Sequence, residues 1–363
     1  MENKIFFILT SWFITACNLF SEEIPVNKWA ILPENNASVD IPAQKSQYFP
    51  KKRTIKVYIY YPGETINNVN NLTGLFLTLH NWGGTEAKGA PSPFVLSSRY
   101  NTICIAVDYL QSGASTDKPY DFGYMQGLDV LRALYFVSNA LKQKGISFAK
   151  HRIYCSGGSG GGNVSLMANK LAPRTFACVV DLSGMASLTD DIAFNLPGGS
   201  CLKAGYSKNP EHPYYLNKDM KQIRDIGNST HLSLMKKLEN SAKIVVIHGV
   251  KDSFCLVSDK KRVVKNMQKA GLDIDAIFIE SRDIDDELIK DAGHGIGDRT
   301  KLLIKFADKY LSKINENKKN DFECKDENIK YKTSNGYYII SYKRGYPVGK
   351  FVPKSKTSQQ RKK

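Results

Sequence analysis

Arg152-Ile153-Tyr154-Cys155-Ser156-Gly157-Gly158-Ser159-Gly160-Gly161 is a short apolar run that ends in a glycine-flanked serine. It fits a G-x-S-x-G elbow, in which a strand turns sharply into a helix and holds a serine hydroxyl at the turn. Small residues on both sides of Ser159 let the turn take strained dihedrals without Cβ clashes. Ser156 competes for the same role, but Tyr154 stands two residues before it and would obstruct the close approach.

Working outward from the elbow, the chain alternates apolar runs with helical patterns. Gly74 to Leu79 ends at His80, Thr102 to Val107 at Asp108, Phe176 to Val180 at Asp181, and Lys243 to Ile247 at His248. Strands with no polar alternation need both faces covered, which predicts a parallel sheet between helical layers. Thr54 to Tyr61 alternates and reads as an outer strand, and Ala276 to Ile279 as a final one. Helices are predicted over 123–143, 161–171, 258–270 and 301–311. This is an α/β fold with a mostly parallel central sheet and helices on both faces. Residues 187–235 break the rhythm with Pro197-Gly198-Gly199, Asn209-Pro210 and His212-Pro213, and read as a partly helical cap over the carboxyl end of the sheet.

The two ends read differently. Ile5 to Cys17 is apolar but too short to span a bilayer. It looks like the core of an export signal, although Glu2 offsets Lys4. Ile14-Thr15-Ala16-Cys17 resembles a bacterial lipobox, with Cys17 as the lipidated residue. The expected organisation is an export signal over 1–20, a catalytic domain over 21–314 and a basic extension over 315–363. The location is then periplasmic, secreted or membrane-anchored. Within the extension, Asn335-Gly336 before Tyr337 to Tyr342 predicts a small β-hairpin. The net charge of +16 is concentrated toward a tail ending Arg361-Lys362-Lys363. By charge such a tail could bind an anionic surface or polymer, with nucleic acid a less expected partner, or it could simply be solvated.

A serine becomes a nucleophile when a neighbouring base takes its proton and an acid fixes the base's tautomer. Asp252 ends the loop His248-Gly249-Val250-Lys251-Asp252 after a buried strand, and His294 lies between Gly293 and Gly295 after the final one. Ser159, Asp252 and His294 are therefore the catalytic candidates, with His248 read as a brace for the acid loop. The negative oxygen of a tetrahedral intermediate needs donors. The candidates are the Gly160 N–H and, from His80-Asn81-Trp82-Gly83-Gly84, the N–H of Trp82, with Asn81 as second choice. Trp82, Phe122 and Tyr206 are candidate pocket walls. Asp283, Asp285, Asp286 and Glu287 precede His294, where acidic groups near the imidazole would favour its protonated form. No lysine follows the glycines in P-loop register, and no cysteine pair has zinc spacing. Cys201 and Cys255 both fall in loops at the active-site end, so a disulfide between them is open.

Together these residues resemble the α/β-hydrolase superfamily over about 55–311, closest in flavour to its secreted esterase and prolyl-oligopeptidase-like branch. His248 to Asp252 looks like its H-G-x-x-D acid loop and His80 to Gly84 like its oxyanion loop, with Asn81 where glycine is commoner. The resemblance implies acyl transfer to water through an acyl-enzyme, without metal or organic cofactor. The expected substrate is a small-molecule or polymer ester. A serine peptidase of the same fold and a non-catalytic binding protein are the alternatives.

Overall fold

The computed structural model describes residues 25–113 and 117–354. The export signal, Cys17 and the last basic residues lie outside the described residues. In chain order the elements are β1 (Ala37–Ala43), β2 (Arg53–Tyr60), β3 (Gly74–Leu79), α1 (Pro93–Tyr100), β4 (Thr102–Asp108), α2 (Tyr124–Gln143), β5 (Ile153–Gly158), α3 (Gly160–Leu171) and β6 (Cys178–Leu182). They continue with α4 (Asp190–Phe194), α5 (Lys218–Arg224), α6 (Ser229–Lys237), β7 (Lys243–Gly249), α7 (Val257–Lys269), β8 (Ile274–Ile279), α8 (Arg299–Ala307), β9 (Asn328–Lys332), β10 (Gly336–Ser341) and β11 (Val348–Pro353).

Eight strands form one sheet in the order β1-β2-β4-β3-β5-β6-β7-β8. β2 runs antiparallel to both β1 and β4, and every pairing from β4 to β8 is parallel. All residues of β3, β5, β6 and β7 are buried, as their unbroken apolar runs require. Successive side chains point to opposite faces. Leu75, Leu77 and Cys155 join a core with residues of α2, α3, α6 and α7, while Phe76 and Tyr154 join a second core with residues of α1 and α8. The architecture is α/β-hydrolase-like, and it brings the loops after β3, β5 and β7 to one sheet edge.

Several boundaries differ from the sequence reading. The outer strand β2 is itself covered by β1, whose Pro42 and exposed residues hide the pattern. β6 begins two residues later than expected, because the ladder pairs Cys178 with both Tyr154 and Lys243, and so Asp181 lies within the strand. The last helix ends at Ala307 and tightens into a 3-10 turn over Asp308–Tyr310. The cap is helical in part, as expected, through α4, α5 and most of α6. Cys201 is exposed, Cys255 is buried, and both thiols are free. Among the described residues no helix is long and apolar enough to cross a membrane.

The expected C-terminal hairpin is a three-stranded antiparallel sheet, β11-β10-β9. β11 was illegible because Gly349 and Pro353 interrupt its pattern. This sheet docks on the body through side chains that meet backbone groups. The Tyr342 hydroxyl donates to the Leu171 carbonyl at 3.0 Å, and the Tyr331 hydroxyl donates to that of Lys170. His231 Nε2 of the cap meets the Lys332 carbonyl at 2.8 Å. Upstream of the sheet, the buried Asp321 carboxylate accepts from the Arg174 backbone N–H at 2.7 Å and from the Thr175 hydroxyl at 3.0 Å.

Burial pushes the Asp321 carboxyl up to about 6 despite the opposing pull of Arg174 and Thr175. The unfolded carboxyl titrates near 3.9, so the folded state holds the proton more tightly. That contribution is complete below about pH 4 and disappears as pH rises through about 6. Compared with Asp321→Asn, the wild-type chain should therefore lose about 2–3 kcal/mol of unfolding free energy between those pH values. Denaturant titrations of both proteins at pH 4, 5, 6 and 7 measure the difference. A constant offset would refute the assignment.

Candidate active site

The site begins with backbone strain at the end of β5. Ser159 has φ 56° and ψ −115°, a left-handed φ in a non-glycine residue. The turn closes because Gly157 and Gly161 touch: a methyl on Gly157 would lie 2.8 Å from the Gly161 Cα. Ser159 N–H donates to the Leu182 carbonyl at 2.9 Å, and the Met185 N–H reaches the Ser159 carbonyl at 3.3 Å. The serine is thus held from both sides, with its residue 7% exposed.

Asp252 follows β7 on a turn that its own carboxylate organises. Oδ1 accepts from the backbone N–H of Phe254 at 2.9 Å and of Cys255 at 2.8 Å. Oδ2 faces His294 Nδ1 at 2.7 Å. Burial alone would raise the Asp252 pKa, but the His294 and Cys255 bonds and the neighbouring imidazoles outweigh it and hold the carboxyl below its ordinary value. The Asp252–His294 pair is therefore formed, with the acid ionised and the imidazole carrying its proton on Nδ1. The His294 side chain remains 22% exposed, with the Phe254 ring 5.2 Å away. Among the described residues no hydrogen bond joins Ser159 Oγ to His294.

His248 has the bracing role read from its position. Its Nε2 lies 2.7 Å from the Cys255 carbonyl and 3.7 Å from Asp252 Oδ2. Burial lowers its pKa to about 4, aided by the Lys260 charge, so the ring is neutral at physiological pH. The acidic stretch before His294 turns on itself: the exposed Asp285 carboxylate accepts from the backbone N–H groups of Glu287, Leu288 and Ile289. Asp291 instead shapes the histidine loop by accepting from the Gly293 N–H at 2.5 Å.

The loop after β3 separates its two donor candidates. The Asn81 N–H is engaged by the Lys88 carbonyl at 3.0 Å. Trp82 lies against the elbow, and a methyl on Gly160 would stand 2.7 Å from the Trp82 nitrogen. The Trp82 ring stacks on Tyr120 at 3.7 Å and 11°. Tyr120 is the residue that sequence reasoning missed. Its hydroxyl oxygen lies 3.2 Å from the same point on Gly160 and is buried without a well-formed hydrogen bond. The nearby Gln126 amide is engaged by the Leu110 carbonyl and the Gly123 N–H. Only the loop following β4 could have drawn attention to Tyr120, through its place between Pro119 and Asp121. Phe122 and Tyr206 share an apolar cluster beneath the cap with Tyr120, Met185 and Met220; Phe122 is wholly covered.

Ligand atoms of Asp252, Cys255 and His294 lie within 4.8 Å of one another, the one such group among the described residues. In this structure His294 Nδ1 is committed to Asp252 Oδ2 at 2.7 Å. The arrangement is suited to proton relay.

Fold and site together define a protein with the α/β-hydrolase fold. The chain belongs to the family described as "Protein of unknown function (DUF2920)", which it matches over residues 112–345. No curated protein matches it. Among solved structures it resembles the acylaminoacyl peptidase of Pyrococcus horikoshii, with a TM-score of 0.51, 13% identity, and coverage of 79% of this chain and 43% of that one. It also resembles a puromycin-hydrolyzing peptidase of Mycobacterium tuberculosis, with a TM-score of 0.51, 15% identity, and coverage of 76% and 39%. Thermogutta terrifontis esterase 2 gives a TM-score of 0.49 at 15% identity, covering 77% and 95%. The chain spans less than half the length of the two peptidases. The two peptidase likenesses carry the fold alone and select no branch of the superfamily.

The acid–histidine bond can be read directly. A proton held between Asp252 and His294 should give a low-field resonance in the ¹H NMR spectrum, and Asp252→Ala should remove it. Persistence of that resonance in a folded Asp252→Ala protein would assign it elsewhere.

Proposed function

We propose that this chain is a serine hydrolase that cleaves a carboxylic ester through an acyl-enzyme. The observation that carries this reading is the Asp252–His294 bond of 2.7 Å at the sheet edge that also holds the strained Ser159 turn. In the proposed reaction His294 Nε2 takes the Ser159 proton as Oγ attacks the ester carbonyl, while Asp252 holds Nδ1–H and steadies the imidazolium. The Gly160 and Trp82 N–H groups donate to the tetrahedral oxygen, joined by the Tyr120 hydroxyl. His294 then returns the proton to the leaving alcohol. A water activated by the same imidazole releases the acid and restores Ser159. If the N-terminal signal is used, the reaction takes place outside the cytoplasm.

Cleavage of a peptide amide is the second reading, since the same groups would protonate a leaving amine. Parallel assays with p-nitrophenyl acetate and an aminoacyl p-nitroanilide separate the two. Mass spectrometry after fluorophosphonate treatment should find one adduct, on Ser159, that Ser159→Ala abolishes. No adduct on folded protein would sink the hydrolase reading and leave a binding protein.

Tyr120→Phe tests the third donor. It should lower kcat for the ester by about 10²-fold with little change in KM, because the hydroxyl acts on the transition state. Its stability should hold, since the variant deletes an unpaired buried hydroxyl and keeps the ring on Trp82. An unchanged kcat, with chemistry demonstrably rate-limiting, would remove Tyr120 from the mechanism.

A further inference from the structure

Pro119 and Asp121, on either side of Tyr120, line a separate cavity of about 650 Å³. Four parts of the chain build it: residues 44–50, the loop after β4 with the start of α2, the cap helix α5, and the β10 and β11 strands of the C-terminal sheet. It is open to solvent at one side and is not used by the proposed reaction.

Its polar groups are mostly donors. Arg224 is 4% exposed and forms three hydrogen bonds: Nε to the Asp121 carbonyl at 2.5 Å, Nη2 to Asp121 Oδ1 at 2.8 Å and Nη1 to the Met220 carbonyl at 3.0 Å. A guanidinium has five N–H donors, which leaves two without a described acceptor. Asp121 also accepts from Met125 N–H at 2.6 Å and Gln126 N–H at 3.2 Å, both on Oδ2. Tyr124 lines the cavity, and its hydroxyl is buried without a hydrogen-bond partner. Behind the Tyr48 wall, 6.1 Å away ring to ring, Tyr206 has a second buried and unpartnered hydroxyl. Burial raises both phenols, so each keeps its proton, and an acceptor entering beside Tyr124 would meet a free donor there.

Charge points the same way. Lys45, Arg224 and Lys350 line the cavity against Asp121 alone. Part of the wall is aromatic: Tyr338 packs at 5.1 Å on Tyr124 and at 5.2 Å on Phe351. A buried unpaired donor is destabilising, a cost that a bound acceptor would relieve. An acceptor-rich anionic head would meet Arg224 and Tyr124, and a ring-shaped or apolar body would lie against Phe351 and Tyr338. We propose that this cavity is a second binding site, for a small organic anion bearing a carboxylate or a phosphate. The C-terminal sheet then has a function as one wall of a ligand pocket. The proposal does not depend on Ser159 chemistry.

Calorimetric titration of Ser159→Ala protein with benzoate, phenyl phosphate and uncharged benzyl alcohol tests it. Saturable one-to-one binding of an anion, and none of benzyl alcohol, is expected. Tighter benzoate assigns a carboxylate, and tighter phenyl phosphate assigns a phosphate. Tyr124→Phe should weaken the preferred anion about tenfold, the loss of one hydrogen bond to a charged group, while leaving Tm unchanged or higher. Lys45→Gln should weaken it less and flatten its salt dependence. Equal binding of benzyl alcohol, undiminished binding by Tyr124→Phe, or no saturation by either anion would overturn the site. Fluorophosphonate labelling of the wild-type chain is scored separately, so either conclusion can fail alone.

Discussion

The close contact of β5 with the start of α3 is the constraint on which the rest depends. A non-glycine residue at φ 56° costs on the order of 1–3 kcal/mol and persists only where its surroundings leave no alternative. Here Gly157 meets Gly161, and Gly161 meets the end of β3 at the carbonyls of Leu79 and His80. Any side chain at Gly161 would push the helix away from β3, and with it the Trp82 loop. One short contact therefore sets the serine, the helix direction and the spacing of the neighbouring donors.

Buried ion pairs hold the elements around this contact. Lys260 on α7 reaches Asp181 on β6 with both side chains fully covered, and Asp181 also receives the Gly184 N–H at 2.8 Å. Arg53 makes a two-pronged bond to Asp129, joining β2 to α2 at 2.7 and 2.8 Å. Lys170 on α3 donates to the carbonyls of Ile223 and Asp225 at 2.7 and 3.0 Å, tying α3 to the cap. Burial lowers that lysine to about 7 against the Asp225 charge. Such pairs contribute less to net stability than to a single arrangement, because removing one partner strands the other, at about 3–5 kcal/mol. The cap and the C-terminal sheet are thus integral to the body.

Much of this was legible in the chain. The unbroken apolar runs at Gly74 to Leu79 and Lys243 to Ile247 require two covered faces, so the parallel sheet follows from local pattern. Glycines around Ser159 and His294 mark close approaches, and Asp252 after a buried strand marks a loop at the sheet edge. β1, α1 and β11 were not legible. Their exposed or interrupted residues carry little periodicity, and their stability comes from the surface they cover.

The sequence by itself determined the buried strand runs, the elbow, and Ser159, Asp252 and His294 as the candidate residues, because each is written in residues adjacent along the chain. Only the tertiary structure decided which N–H of the β3 loop faces Gly160, that Tyr120 brings a buried hydroxyl to the same point, and that Arg224 and Tyr124 share a cavity with the C-terminal sheet. Those relations join groups tens to hundreds of residues apart. They depend on packing distances and on which donors are already engaged, and neither has a local signature.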